Sequence, residues 1–396
     1  MQDNGESKIK ICMLSSVPVT LRNFYGALIR QLKDCDFEVI LVSSDVLELS
    51  KLGDELACEV FATSILRQIS PINDVVSIYR LFRYLSEHKC DIVHAHTPKG
   101  GLIGMIASWL AFTPNRIYTI HGLVLETTTG LKRKLLWFAE WLACKFSTWV
   151  LAVSPSLRQR IIDEGICPAR KIQVFGHGSA CGIDIKKFTR SERFSAFRDQ
   201  IRSGYNIPQD AIVIGFLGRI VPDKGIETLV RAFEKLQEKN VKCYLLLVGS
   251  FETVRGTLND TTIQIIEGNP YILCNREFVS DVLPFYAAMD ILTLPSRREG
   301  FGLTLIEASA LELPVIATRV TGCVDAVVDV ETGLLVEVDN VEQLANAMLK
   351  LAKDYELRKS MGRKGYDRVR MYFDSRDLIC SHIKLYNKVL RTQSVS

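Results

Sequence analysis

The chain has 396 residues, 47% of them hydrophobic and 24% charged, proportions of an ordinary globular protein rather than a disordered or fibrous one. That length exceeds the roughly 250–300 residues that one hydrophobic core supports, so two domains are expected. A net charge of +4 is too small for this length to mark a nucleic-acid binder, and no nucleic-acid partner is expected.

Eleven cysteines stand singly, with no Cys-x-x-Cys pair and no neighbouring histidine pattern. Such usage points to reduced cytosolic thiols rather than a disulfide framework or a zinc site. Residues 1–10 are polar, so no secretory signal is read there. No run of 18 or more uncharged apolar residues is present to span a bilayer, and any membrane contact is expected to be peripheral.

In the first half, short apolar runs alternate with longer amphipathic ones, the pattern of parallel strands joined by crossover helices. Strands are predicted over 9–14, 37–43, 91–94, 116–120 and 149–153, and helices near 24–33, 75–88, 101–111 and 132–146. His94 and His96 flank the end of one strand, two apart and so on one face of an extended chain, with Lys99 just beyond. Three histidines with His121 suggest a metal site, but a polar strand end accounts for the first two, and no metal is expected. His121 ends the strand over 116–120, where residues of a ligand crevice sit in doubly wound folds.

Between Arg116 and Arg160 stand seven basic residues, Arg116, Lys132, Arg133, Lys134, Lys145, Arg158 and Arg160, against Glu126 and Glu140. The four tryptophans, Trp109, Trp137, Trp141 and Trp149, fall in or just before the same segment. A helix over 130–146 with basic residues at its start and large apolar ones throughout suits an anionic membrane surface, although much of its apolar surface must pack under its own domain.

Polar residues dominate 186–204, read as the inter-domain linker. The second half restarts the alternation, with strands predicted over 211–217, 242–248, 290–294 and 314–317 and helices over 225–238, 304–311, 341–353 and 376–389. In two doubly wound halves the ligand crevice lies at the carboxyl ends of the strands, here expected in a cleft between the domains.

Two loops of this half carry the chemistry. Gly218-Arg219-Ile220-Val221-Pro222-Asp223-Lys224-Gly225 links a strand to a helix. Arg219 and Lys224, five apart, can converge near a helix N-terminus and neutralise a diphosphate without a metal. The stretch from Pro295 to Glu307 runs from a strand through Gly300-Phe301-Gly302 into an apolar helix, with Glu299 and Glu307 eight apart. Loop N–H groups and the helix N-terminus can face phosphate oxygens, while the carboxylates accept from hydroxyls. A nucleotide sugar offers both. Neither half has Gly-x-Gly-x-x-Gly after its first strand, nor the P-loop pattern, and no Asp-x-Asp stands in a metal-binding context.

Together the two loops resemble retaining glycosyltransferases of family 4, which share the two-domain α/β GT-B fold. The capsular and exopolysaccharide branch is the nearer match, through His94-Ala95-His96-Thr97-Pro98-Lys99-Gly100-Gly101, Tyr118-Thr119-Ile120-His121-Gly122 and Thr129-Gly130-Leu131-Lys132-Arg133. Val153-Ser154-Pro155-Ser156-Leu157 and the stretch from Gly176 to Asp184 extend it over nearly the whole chain. The resemblance implies an acceptor-binding Rossmann-like domain over 1–188 and a nucleotide-sugar-binding one over 189–372, both doubly wound and facing a central cleft. A helix within 373–396 would cross back to the first domain.

It further implies that Arg219 and Lys224 hold the donor diphosphate and Glu307 the ribose hydroxyls. Glu299 would contact hydroxyls of the moving sugar, with Gly218, Gly300, Phe301, Gly302 and Leu303 completing the donor site. His121 would meet the donor sugar from the other domain. Three departures stand out. The family's Gly-Gly loop after the first strand is replaced by residues 16–22, so Thr20, Arg22 or local backbone would take over, with His96 and Lys99 as further cleft candidates. Glu277 stands where glycine is common near the base. Glu312-Leu313 replaces a helix-ending glycine, at little cost if the helix ends without a left-handed residue.

The implied reaction is front-face transfer of a hexose or N-acetylhexosamine from a nucleoside diphosphate sugar, UDP being the better match. The implied acceptor is a polyprenyl-diphosphate-linked glycan of capsule, exopolysaccharide or O-antigen assembly. The enzyme would work without a resident cofactor or metal, in peripheral contact with the cytoplasmic face of the inner membrane. A GT-B-fold epimerase or a non-catalytic nucleotide-sugar-binding subunit are the competing readings.

Overall fold

The computed structural model describes residues 8–391 apart from 67, 69, 253–255 and 278. The first seven residues of the polar amino-terminal stretch, and the last five of the predicted 373–396 segment, lie outside the described residues. The chain divides into two compact units, one of residues 1–181 with 376–396, the other of residues 182–375.

Unit 1 alternates strands and helices in the order β1 (Ile9–Leu14), α1 (Pro18–Thr20), α2 (Gly26–Asp34), β2 (Phe37–Ser43), α3 (Val46–Leu56), β3 (Glu59–Ala62) and α4 (Pro71–His88). It continues with β4 (Ile92–His96), α5 (Pro98–Leu110), β5 (Asn115–Ile120), α6 (Gly130–Phe146), β6 (Trp149–Ala152), α7 (Pro155–Asp163) and β7 (Ile172–Gln173). Among the described residues these strands form one parallel sheet of order β3-β2-β1-β4-β5-β6-β7. Near-continuous apolar strands such as Ile11-Cys12-Met13-Leu14, all fully buried, are what a sheet covered on both faces requires.

Unit 2 runs α8 (Arg193–Gly204), β8 (Ile212–Leu217), α9 (Ile226–Gln237), β9 (Cys243–Val248), α10 (Asp260–Gly268), β10 (Ile272–Asn275), α11 (Leu283–Ala288) and β11 (Ile291–Leu294). Then follow α12 (Leu303–Ala310), β12 (Val315–Thr318), α13 (Cys323–Ala326), β13 (Gly333–Val336), α14 (Val341–Lys353) and α15 (Tyr355–Tyr372). Its sheet, of order β10-β9-β8-β11-β12-β13, is again parallel. The chain then returns to unit 1 as α16 (Ser375–Arg391), whose Leu385, Tyr386 and Val389 pack with Leu28, Leu32, Leu41 and Ile92 in the unit 1 core.

Four expectations need correction. The polar region 186–204 is not a linker: α8 occupies its second half and carries the fully buried Arg202. That guanidinium donates to the carbonyls of Ala288, Pro208, Gln209 and Ala211 and to Asp290 at 2.8 Å, so its polarity is spent inside unit 2. The strand predicted to end at His94 runs on to His96, because both rings point into the interior. The first helix begins earlier than residue 24: α1 follows β1 almost directly, and a π-helical turn, Leu21–Tyr25, joins it to α2. Finally, α12 does end on a left-handed residue. Glu312 has φ 54, its N–H donates to Ser309 O and that of Leu313 to Ala308 O, both at 3.0 Å, which is a Schellman end with glutamate at the usual glycine place. A non-glycine there costs about 1 kcal/mol.

Candidate functional site

In the unit 2 sheet β8 and β11 are neighbours, yet β8 leads on to β9 on one side and β11 to β12 on the other. Loops that leave such a pair diverge and open a crevice at the carboxyl ends of the strands. The two chemistry-bearing loops are the ones that leave β8 and β11. They touch at Gly225 (φ 69), where an added Cβ would stand 2.0 Å from the carbonyl oxygen of Pro295. The turn after β12 closes the other side, since a Cβ on Gly322 would stand 2.4 Å from Gly300 O.

Each cation on these loops holds a carboxylate. Lys224 Nζ donates to Glu299 Oε1, which also accepts from Ser296 Oγ at 2.7 Å. Arg219 Nη1 donates to Glu252 Oε2 at 3.0 Å. Arg298 Nη2 donates to Asp223 Oδ2 at 2.6 Å, and Arg297 Nε donates to both oxygens of Asp339 at 2.9 and 3.0 Å. Gly218 (φ 150) begins the first loop. Gly302, at φ 70 and ψ 57, caps α12, with Leu303 as its first residue. The Phe301 ring is buried against Phe373 at 5.3 Å.

Glu307, in the second turn of α12, does not join the Lys224–Glu299 pair but accepts from Tyr286 O–H at 2.7 Å. Burial raises its carboxyl above the ordinary value, opposed by the Tyr286 hydroxyl and the charge of Lys187. Unit 2 therefore gathers Arg219, Lys224, Glu299 and the amino end of α12 around one switch point. Tyr286, Glu252, Ser296 and Asp223 are participants the sequence reading missed, although Asp223 stands beside Lys224 in the loop it singled out.

Unit 1 repeats the topology, with its switch point between β1 and β4. Ser16 after β1 meets Thr97 after β4: the Ser16 N–H donates to Thr97 Oγ1 at 3.2 Å and the two hydroxyls lie 2.7 Å apart. Thr97 has φ 68, an outlier for a β-branched residue. The candidates predicted here are dispersed. Thr20 lies half-buried on α1. Arg22, in the π-turn, pairs with Glu55 at 3.2 Å and Glu48 at 3.5 Å, and Lys99 pairs with Asp74.

His96 and His121 do come together, around Tyr25. The buried His96 ring stacks on Tyr25 at 3.9 Å, with neither nitrogen hydrogen-bonded among the described residues, and His121 Nε2 lies 3.0 Å from the Tyr25 hydroxyl. Burial and the nearby His382 push His121 down to about 4, so its ring is neutral at pH 7. His94 bridges Tyr386 O–H at 2.6 Å and Thr119 Oγ1 at 2.7 Å. Among the described residues no group of three or more His, Cys, Asp or Glu is placed to hold a metal ion.

Two family models match this chain: glycosyl transferases group 1 over residues 197–368 and glycosyltransferase family 4 over residues 23–179. The capsular polysaccharide biosynthesis glycosyltransferase CapM of Staphylococcus aureus is 36% identical over 361 residues, 91% of this chain and 92% of that protein. The chain belongs to the group 1/family 4 glycosyltransferases. This glycosyltransferase is also 26% identical to the Escherichia coli UDP-Gal:alpha-D-GlcNAc-diphosphoundecaprenol alpha-1,3-galactosyltransferase, over 88% of this chain and 89% of that one. Anabaena HepE, solved with UDP and glucose, shares the fold at a TM-score of 0.80 and 19% identity, over 96% of this chain and all of HepE. The glycosyltransferase thus has the expected α/β GT-B fold, with two Rossmann-like parallel sheets.

Proposed function

We propose that this glycosyltransferase moves a hexose or N-acetylhexosamine, with retention, from a nucleoside diphosphate sugar to a polyprenyl-diphosphate-linked glycan of capsule or a related surface polysaccharide. The observation that carries the reading is the placement of Arg219, Lys224 and Glu299 on the two loops that diverge from β8 and β11. The capsular role of CapM and the diphosphoundecaprenol acceptor of the Escherichia coli relative support the acceptor class. UDP in HepE supports the nucleotide.

In this reading Lys224 exchanges Glu299, and Arg219 exchanges Glu252, for the donor diphosphate. The bond from the anomeric carbon to the diphosphate breaks as the acceptor oxygen attacks from the same face, and the acceptor proton passes to the departing phosphate oxygen. Arg219 and Lys224 supply the positive charge that stabilises the leaving group, where a divalent metal would otherwise serve. Glu299, released from Lys224, orients the sugar through its hydroxyls, Glu307 takes the ribose hydroxyls, and neutral His121 bonds a substrate hydroxyl.

The α6 helix supports peripheral membrane contact. Leu131, Leu135 and Phe138 recur at helical spacing and are exposed, Leu131 at 83%, beside Lys132 and Lys134. The last turn of α5, which packs against α6, adds Trp109, and the turn after it adds Phe112, 90% exposed. Among the described residues no helix is long and apolar enough to cross a membrane.

The deciding experiment incubates purified protein, in EDTA, with a panel of UDP-hexoses and undecaprenyl-diphosphate-linked GlcNAc. Glycan extension is expected, and Arg219→Ala or Lys224→Ala should lower turnover by about 100-fold or more with an unchanged Tm. Near-wild-type turnover in either variant defeats the diphosphate assignment. Donor conversion without acceptor would identify an epimerase, and binding without product a sensor.

A further inference from the structure

Lys224 and Glu299 stand on different loops, so their relative position depends on what ties those loops together. Their own ion pair is one tie. Under the reading above, that tie is released when a donor binds, because each partner turns to the ligand. Something else must then hold the loops.

Of the remaining hydrogen bonds between the loops, a longer one from Arg297 Nη1 to Pro222 O at 3.4 Å aside, the two shortest converge on Asp223. Its carbonyl accepts Arg297 N–H at 2.8 Å, and its carboxylate accepts Arg298 Nη2 at 2.6 Å. The 3-10 turn Pro222–Lys224 sets Asp223 immediately before Lys224, and Arg298 immediately precedes Glu299. The Asp223–Arg298 pair thus lies one residue from the Lys224–Glu299 pair on both loops. The Arg298 side chain is only 18% exposed, and its Nε is buried with no hydrogen-bond partner among the described residues. Its bond to Asp223, whose side chain is 32% exposed, therefore carries much of its orientation, and such a partly buried pair is screened less by water than a surface one.

We infer that Asp223 and Arg298 form a clamp across the switch point that keeps Lys224 and Glu299 in register while donor is bound. The inference rests on the donor reading. Both are positioning residues: they act through Lys224 and Glu299.

The test is a double-mutant cycle of Asp223→Asn, Arg298→Gln and the double variant, with UDP and GDP as probes. Affinity is read by calorimetry, kcat and KM by the transfer assay, and folding by Tm. Each single change should weaken nucleotide binding by about ten-fold and lower kcat, with Tm little moved. The double variant should be no weaker than either single, because both remove one coupled pair. Asp223→Glu and Arg298→Lys, which keep the charges, should recover part of the loss, and they replace a parent variant that fails to fold. The clamp is overturned if either single binds within two-fold of wild type, or if the two losses add. If the wild type binds neither nucleotide, or Lys224→Ala binds as the wild type does, the donor reading fails and the clamp with it.

Discussion

At the residue scale the candidate site is a set of charges that neutralise one another. The spacing of Arg219 from Lys224 and of Glu299 from Glu307 was legible in the sequence because each pair lies on one continuous segment. Their actual partners were not. Lys224 meets Glu299 across 75 positions, and Glu307 meets Tyr286 across 21, separations that only the crossover topology turns into contacts. Gly225 shows how little room the arrangement leaves. Gly225→Ala would force a Cβ to 2.0 Å from Pro295 O at φ 69, and both obstacles are backbone. The change is expected to cost about 1–3 kcal/mol and to weaken UDP binding, as measured by urea unfolding and calorimetry. Unchanged values in both would mean that the two loops do not touch as described.

At the scale of elements, periodicity served where apolar residues recur strongly, as in β1, β2, α9 and α14, and failed where polarity has a hidden use. The region of α8 read as a linker because the pairing of a buried arginine with Ala288 O and Asp290 far along the chain, and with the loop carbonyls just after the helix, leaves no trace in local composition. α15 went unpredicted for a related reason. Its packing face includes Gly362, whose missing Cβ lets the helix approach Glu312 O, and glycine contributes nothing to an apolar stripe. The π-turn between α1 and α2 equally follows from no spacing rule. α6 poses the opposite question, with more apolar surface than its packing covers. Leu131→Glu combined with Phe138→Glu is expected to abolish co-sedimentation with vesicles containing anionic lipid, while Tm stays near the wild-type value. Equal sedimentation of variant and wild type would remove α6 from the membrane reading.

At the scale of the whole molecule, the single restart of strand–helix alternation in the second half made two doubly wound units legible, but strand order is not contained in periodicity. Nor is the gathering of His94, His96, His121 and His382 in unit 1, where they face Tyr25, Thr119, Tyr386, Phe175 and the carbonyl of Leu378. Burial lowers all four, His121 and His382 to about 4. An unfolded histidine takes its proton near 6.5, whereas folded His121 and His382 take theirs only near 4 and His94 and His96 are held well below 6.5, so stability falls as pH drops from 6.5 towards 4. Glu140 acts oppositely. Burial pushes it up to about 7, so it holds a proton that the unfolded chain releases until about pH 4.5, which offsets one of the four histidines. Thermal unfolding followed by tryptophan fluorescence reports unit 1, which holds Trp109, Trp137, Trp141 and Trp149. Its Tm is expected to fall between pH 6.5 and 4.5, and more steeply in Glu140→Gln. A flat profile would contradict the neutral-histidine assignment.

The return of the chain to unit 1 through α16 has a consequence for biosynthesis. A ribosome that has delivered residues 1–181 has not yet made Leu385, Tyr386 or Val389, so the core remains open and His94 lacks its hydroxyl partner. Unit 2 is one uninterrupted stretch and meets no such delay. Folding therefore finishes in the reverse of the order of synthesis, with the first-made unit waiting for the helix made after the second. The ring it must close spans the whole of unit 2, but closure entropy grows only with the logarithm of length, and a unit 2 already folded shortens the flexible part of that ring.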